Sequence, residues 1–398
     1  MVIRGWGKCA TCDHPHTLRA GVGIEMHQEH YFDCGKCGSS ITVAVKTDAP
    51  RAWFTAEENF SLTQSEQDNS SLINLHPNFA FTEAEYHSPM SFVSLEQGSK
   101  IIPHVRPTTG KYQNDLAGTF EIPNCKDIWS LVKRAVVFDA MDEKHKQLER
   151  LHSDFLRQRQ KYRPETTAEN TDEMLIGFFT DLLYPKITNI LKPAIALVHN
   201  LKQNYPQEMR RFSDYYNAEL KEERTAAYLN TFSDYFRYHG QFTQLLSHAR
   251  LDDDNIQDHI ISSKSFDQVK LYYGQVFEVL TTAISTLAAL NNISAGRPYD
   301  QFEAMSWSKY TKDVEKAKRA KPFETVPEFS AFTDCLDSTI RNGSHHASIW
   351  RDGEKVIYRS GGSGARREVP YSSYIHLCNR ATISLAAIWL LEVSEIES

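Results

Sequence analysis

Hydrophobic positions along this chain take up a helical period from residue 126 onward and show no steady period before it. Ile128, Leu131, Val132, Ala135, Phe138, Leu148, Leu151 and Phe155 recur at three- and four-residue spacing, the repeat of a helix with one buried face. This pattern predicts one long amphipathic helix ending before Pro164, then a polar linker over 163–172. Further helical stretches are expected at 172–202, kinked or split at Pro185 and Pro193, and at 206–250. The second carries Phe212, Tyr215, Tyr216, Tyr228, Phe232, Tyr235, Phe236, Tyr238 and Phe242. An aromatic stripe at that spacing reads as core or helix interface. Residues 265–292 have the most uniform apolar pattern and predict a central bundle helix. A last apolar helix is expected over 372–395.

Upstream, short apolar runs over 48–123 are broken by the polar stretch 64–71 and by Pro77, Pro89, Pro103 and Pro107. Loops and a few strands are expected there, without regular helix. Short strands are predicted at 17–20 and 41–46, and a hairpin at 348–350 with 355–359, whose glycine-rich tip at 360–367 leads to Glu368 and Val369. The fold class is therefore mainly α, with a C-terminal helical bundle, a small N-terminal β unit and a mixed middle region. Expected boundaries are 1–47, 48–125, 126–205 and 206–398.

Composition narrows the function. Across 398 residues, 44 Lys and Arg face 51 Asp and Glu, a formal net charge of −7. That argues against a basic coat and against indiscriminate nucleic-acid binding. No unbroken apolar run reaches the roughly eighteen residues of a membrane span, and the first residues lack a secretory signal pattern. A cytoplasmic protein with no membrane partner is expected.

Four of the seven cysteines form two C-x-x-C pairs, Cys9 with Cys12 and Cys34 with Cys37, separated by 21 residues. The spacing suits a four-thiolate Zn2+ site, structural and one per chain, and the segment resembles a zinc ribbon. So small a unit needs the metal for stability. Gly35 and Gly38 are expected to relieve the second turn. His14, His16, His27 and His30 read as surface residues, because four sulfurs already complete a tetrahedron. Between the knuckles there is no basic cluster, so a protein partner or trigger is as well suited to this end as nucleic acid. Cys125, Cys335 and Cys378 read as small core residues.

The second chemistry-bearing stretch is Arg341-Asn342-Gly343-Ser344-His345-His346. RNA carries its own nucleophile, so cutting it requires only proton transfer and stabilisation of a pentacovalent phosphorus. A histidine titrates in the right range for the first task, and a permanently charged guanidinium suits the second. The stretch resembles the R-x4-6-H signature of the HEPN superfamily in its R-N-x-x-x-H form, with Arg341, Asn342 and His346. That resemblance implies a HEPN-like bundle and a metal-independent endoribonuclease leaving 2′,3′-cyclic phosphate, with no cofactor for catalysis. It also implies a homodimer through the C-terminal helical domain, and a toxin or effector role in prokaryotic antiphage defence.

His346 is then acid or base, Arg341 stabilises transition-state charge and Asn342 orients. On an unbroken helix, residues five apart diverge by about 140°, whereas His345, four apart, shares the face of Arg341. Gly343 weakens helix there, so a turn is expected to bring His346 inward, and His345 stays as the alternative. Expected RNA contacts are Lys316, Lys318 and Arg319 on a basic helix before the motif, and Arg359, Arg366 and Arg367 around the hairpin. The rival reading is a non-enzymatic zinc-ribbon adaptor whose inactive scaffold binds protein or nucleic acid.

Overall fold

The computed structural model describes residues 2–22, 27–48, 50–76, 78–88, 91–101, 122, 124–141, 145–163, 166–261, 266–345, 348–359 and 364–397, with backbone alone at 268 and 345. Helix makes up 56% of the chain, so the mainly α expectation holds, with a small N-terminal β region carrying the cysteines. Two compact units divide the chain. One comprises Met1–Ser99, Tyr238–Gly274 and Thr339–Asn379, and the other Lys100–Arg237, Gln275–Ser338 and Arg380–Ser398. These units do not follow the linear boundaries expected above, because each is assembled from three separated segments.

All described strands belong to the first unit: β1 (Val2–Cys9), β2 (Pro15–Gly21), β3 (His27–Asp33), β4 (Ser40–Asp48), β5 (Arg51–Glu58), β6 (Phe60–Thr63), β7 (Ser71–Asn74), β8 (Phe81–Thr82), β9 (His259–Ile260), β10 (Ile349–Asp352), β11 (Lys355–Arg359) and β12 (Arg366–Pro370). One sheet has the order β6-β1-β2-β7 and a second the order β3-β4-β5. Alternation sets the buried face: Phe32 lies opposite Ile41 and Val45 opposite Phe54. With Val43, Leu18 and Ala20 these side chains form one apolar core.

Short helices Glu83–His87 and Val93–Ile101 contradict the expectation of no regular helix before residue 123. The first starts at Thr82, whose hydroxyl takes the Glu85 N–H while Glu85 reaches back to the Thr82 N–H, a reciprocal cap written in the sequence as T-x-x-E. The segment from Tyr238 returns to the sheets. There the amide of Gln244, in the helix His239–Leu251, donates to the carbonyls of Asn74 at 3.0 Å and His76 at 2.6 Å.

In the second unit the single helix expected after residue 126 is two, Cys125–Asp139 and His145–Arg159, packed on each other. Amphipathic periodicity runs through both, which is why the pattern concealed the break. The helix Thr171–Leu183 starts on Asn170, and the break falls at Pro185 as expected, while Pro193 is carried inside Lys186–Asn204. The aromatic stripe is core: Phe212, Tyr228, Phe232 and Tyr235 are fully buried. Trp129 stacks on Phe236 at 4.9 Å between centroids, with Phe178, Phe179 and Phe232 around it. Deeper in the same unit, Arg224 pairs with Glu392, whose carboxylate also accepts from Tyr228 at 2.6 Å and Thr286 at 2.5 Å. Those hydroxyls satisfy an ion pair that would otherwise be costly to bury.

The helical stretch expected over 206–250 runs unbroken from Pro206 to Arg237, with one wider turn at Tyr216–Leu220, and breaks at Tyr238 before His239–Leu251. The expected central helix is Phe266–Ala283 followed by Ser285–Ser294. Val269–Ser294 and Tyr371–Ile396 are long and apolar enough to cross a membrane, yet 78% and 89% of their apolar windows are buried, as in core helices. The expected basic helix is instead the short helix Trp307–Lys312 and two single turns, Lys316–Lys318 and Lys321–Phe323.

Candidate functional site

The four paired cysteines converge. β1 ends on Cys9, and the chain reverses with the Asp13 N–H on the Cys9 carbonyl at 2.9 Å and Asp13 at φ 57°. Between β3 and β4 the Gly38 N–H meets the Cys34 carbonyl at 2.9 Å, with Gly38 at φ 71°, a conformation that costs glycine little. Gly35 has a different reason: a Cβ there would lie 2.7 Å from the Ser71 hydroxyl. All four sulfurs lie within 4.8 Å of one another, with Cys9 and Cys37 at 3.8 Å and Cys12 and Cys34 at 3.6 Å.

A tetrahedral site with metal–sulfur bonds of about 2.3 Å has sulfurs roughly 3.8 Å apart, so the donor set fits a metal ion. Hydrogen bonding to Ser39 pulls the Cys37 thiol down to about 6, and burial pushes Cys34 up to about 12. A bound cation would hold all four as thiolates. His16, expected at the surface, is buried among Phe32 and Phe60, and burial lowers it to about 4. His14 reaches Ser71 at 2.8 Å.

The Arg341 motif lies in the same unit as the cysteines, on the helix Ser338–His345. Here the expected turn at Gly343 is not found. The backbone stays helical through position 345, which stands one turn beyond Arg341 on the same helical face. His346 and the His345 side chain lie outside the described residues. Arg341 and Asn342 are half-buried, and Nη1 of Arg341 donates to Oδ1 of Asn342 at 2.8 Å. Gly343 serves close approach: its Cβ would come 3.2 Å from Cβ of Tyr358 on β11, and its carbonyl accepts from the Ser348 N–H at 3.1 Å.

The expected hairpin is a three-stranded antiparallel sheet, β10-β11-β12, so Arg366 and Arg367 sit on a strand instead of a loop tip. Arg359, Arg366 and Arg367 are exposed. The other expected RNA contacts belong to the second unit. Lys316 pairs with Glu278, and Lys318 with Glu315 at 2.6 Å. Arg319 does not fit the expectation: it is 7% exposed, and its guanidinium donates to the carbonyls of Val314, Thr281 and Thr311. It is a bracing residue of that loop. Sequence reasoning gave Trp350 a strand and no role, although its outward position follows from strand alternation; it is 39% exposed.

No protein-family model, curated protein or solved structure matches this chain. The HEPN resemblance therefore rests on the sequence of Arg341–His346 and on the helix that carries Arg341 and Asn342.

Proposed function

We propose that the chain is a metal-independent endoribonuclease of the HEPN type, in which the cysteine cluster holds one structural Zn2+. The reading is carried by Arg341, hydrogen-bonded to Asn342 on a helix that lies against a sheet rich in exposed arginine. A guanidinium so held presents fixed charge to a phosphorane, and a histidine next to it moves the proton between the 2′-hydroxyl and the leaving 5′-oxygen. His346 has the family spacing, while His345 has the helical spacing. Two copies of so sparse a motif complete a site across a two-fold axis, so the active species is a homodimer. Four thiolates at tetrahedral separation suit zinc, which here stabilises fold and takes no part in cleavage. An effector role in antiphage defence belongs to this proposal.

The test is RNA incubated with the protein in EDTA, beside Arg341→Ala, His345→Ala and His346→Ala. Cleavage by the parent, lost with Arg341→Ala and with one of the histidine variants, supports the nuclease. RNA left intact by the parent but bound by it favours the adaptor reading.

A further inference from the structure

We infer that the outer face of the β10-β11-β12 sheet binds single-stranded RNA, with an unpaired base on Trp350 and a backbone phosphate between Arg359 and Arg366. The identity of the ligand rests on the nuclease reading; the strand form and the residues that select it go beyond it. Directly opposed residues of an antiparallel sheet share a face. Trp350 lies opposite Ile357, and Arg359 opposite Arg366. Since Ile357 and Arg359 are alternate residues of β11, Trp350, Arg359 and Arg366 share one face; these three are exposed, while Ile357 on the same face is buried. Arg367 is opposite Tyr358 and points to the other face.

Two arginines set directly across from each other repel, and such pairs destabilise a sheet unless an anion lies between them. The carboxylates on this face supply one only in part: Glu368 feels the Arg366 cation but is held first by Lys355. Glu368 is engaged by Lys355 at 2.6 Å, Asp352 stands opposite Lys355, and Arg359 donates weakly to the Gly364 carbonyl at 3.4 Å. Three cations thus face two carboxylates. An exposed indole beside a cation pair is the combination that holds single strands, through stacking and phosphate contact. A duplex keeps its bases stacked internally and offers the indole nothing. Arg359 also ends β11 where that strand meets Gly343, two residues from Arg341, its carbonyl 3.8 Å from the position of a Gly343 Cβ. The motif helix packs on the opposite face, where Gly343 meets Tyr358 and Ile349, so a strand bound on this face reaches the motif around the end of the sheet at Arg359.

The test is fluorescence anisotropy of the full chain with a labelled 2′-O-methyl RNA of about twelve nucleotides, single-stranded and then annealed to its complement. This RNA lacks the nucleophile, so binding is read apart from cleavage. Tighter binding of the single strand is expected. Trp350→Ala should weaken it roughly fivefold to a hundredfold, with Trp350→Phe restoring most of the loss. Arg359→Ala and Arg366→Ala should each lower the slope of log affinity against log salt by about 0.7, and Arg367→Ala should change it less. Circular dichroism and melting of each variant confirm folding.

Equal binding of duplex, unchanged binding by folded Trp350→Ala and Arg366→Ala, or displacement of the RNA by an oligoglutamate peptide at equal concentration would each overturn the inference. Binding as expected without cleavage of natural RNA would remove only the nuclease reading. Motif-dependent cleavage with binding indifferent to Trp350 would remove only this one.

Discussion

Nη1 of Arg341 reaches Oδ1 of its neighbour Asn342 at 2.8 Å, and this bond fixes one edge of the guanidinium while the helix fixes the other end of the side chain. Hydrogen bonds to charged groups contribute about 1.5–3 kcal/mol. If the bond positions charge for the transition state, Asn342→Ala lowers kcat by roughly ten- to a hundredfold and leaves KM nearly unchanged. Steady-state kinetics on a short RNA checks it; a loss confined to KM would assign Asn342 to substrate binding instead.

Gly343 predicts a graded series. A Cβ there comes 3.2 Å from the Tyr358 Cβ, and alanine also gains about 1 kcal/mol of helix propensity. Gly343→Ala should therefore change stability by less than about 1 kcal/mol. Gly343→Leu forces helix and sheet apart, costing about 1–3 kcal/mol, and should lower cleavage further than stability alone explains. Urea melts and rates on the two variants separate these effects.

Removing the metal should be selective for the first unit, whose β-rich core is small. Titration of the thiols with an organomercurial should release one zinc ion per chain, and the metal-free protein should lose at least about 3 kcal/mol. Cys12→Ser should reproduce the loss. Metal analysis with calorimetry reads both, and a metal-free chain that melts like the parent would exclude a structural metal.

His76 predicts a pH dependence. Its Nδ1 accepts the N–H groups of Asn78 at 3.1 Å and Phe79 at 3.2 Å, which only the neutral ring can do. Burial, helped by the Arg19 guanidinium, lowers it to about 3. The unfolded chain binds this proton near pH 6.5 and the folded chain does not. The contribution is therefore whole above pH 6.5 and is lost as pH falls toward 3. Between pH 7.5 and 5.5 the loss is about 1.4 kcal/mol, and His76→Asn should flatten that part of the curve in urea unfolding.

The cysteine spacing was legible because the residues that hold a metal also define its turns, and the aromatic stripe because burial and helical period coincide. The breaks near residue 140 and at Tyr238 were not, since an amphipathic repeat continues across each of them. Nor was the assembly of the first unit from distant segments: Gln244 bonding to the Asn74 and His76 carbonyls leaves no local trace. Gly343 misled for a related reason. Read alone, a glycine in a helix suggests a turn, whereas here the missing side chain makes room for Tyr358. Arg319 misled because a cation in a basic run looks solvated until its carbonyl partners are seen.

The central claim is that Arg341 and a neighbouring histidine drive attack by RNA's own hydroxyl. One measurement tests it directly: cleavage in EDTA of an oligoribonucleotide and of the same oligonucleotide bearing a single 2′-deoxy residue at the cut position. The account predicts a 2′,3′-cyclic phosphate end from the first, no cut in the second, and neither with Arg341→Ala. Cleavage at the deoxy position, or undiminished cleavage by the Arg341→Ala protein, would contradict it.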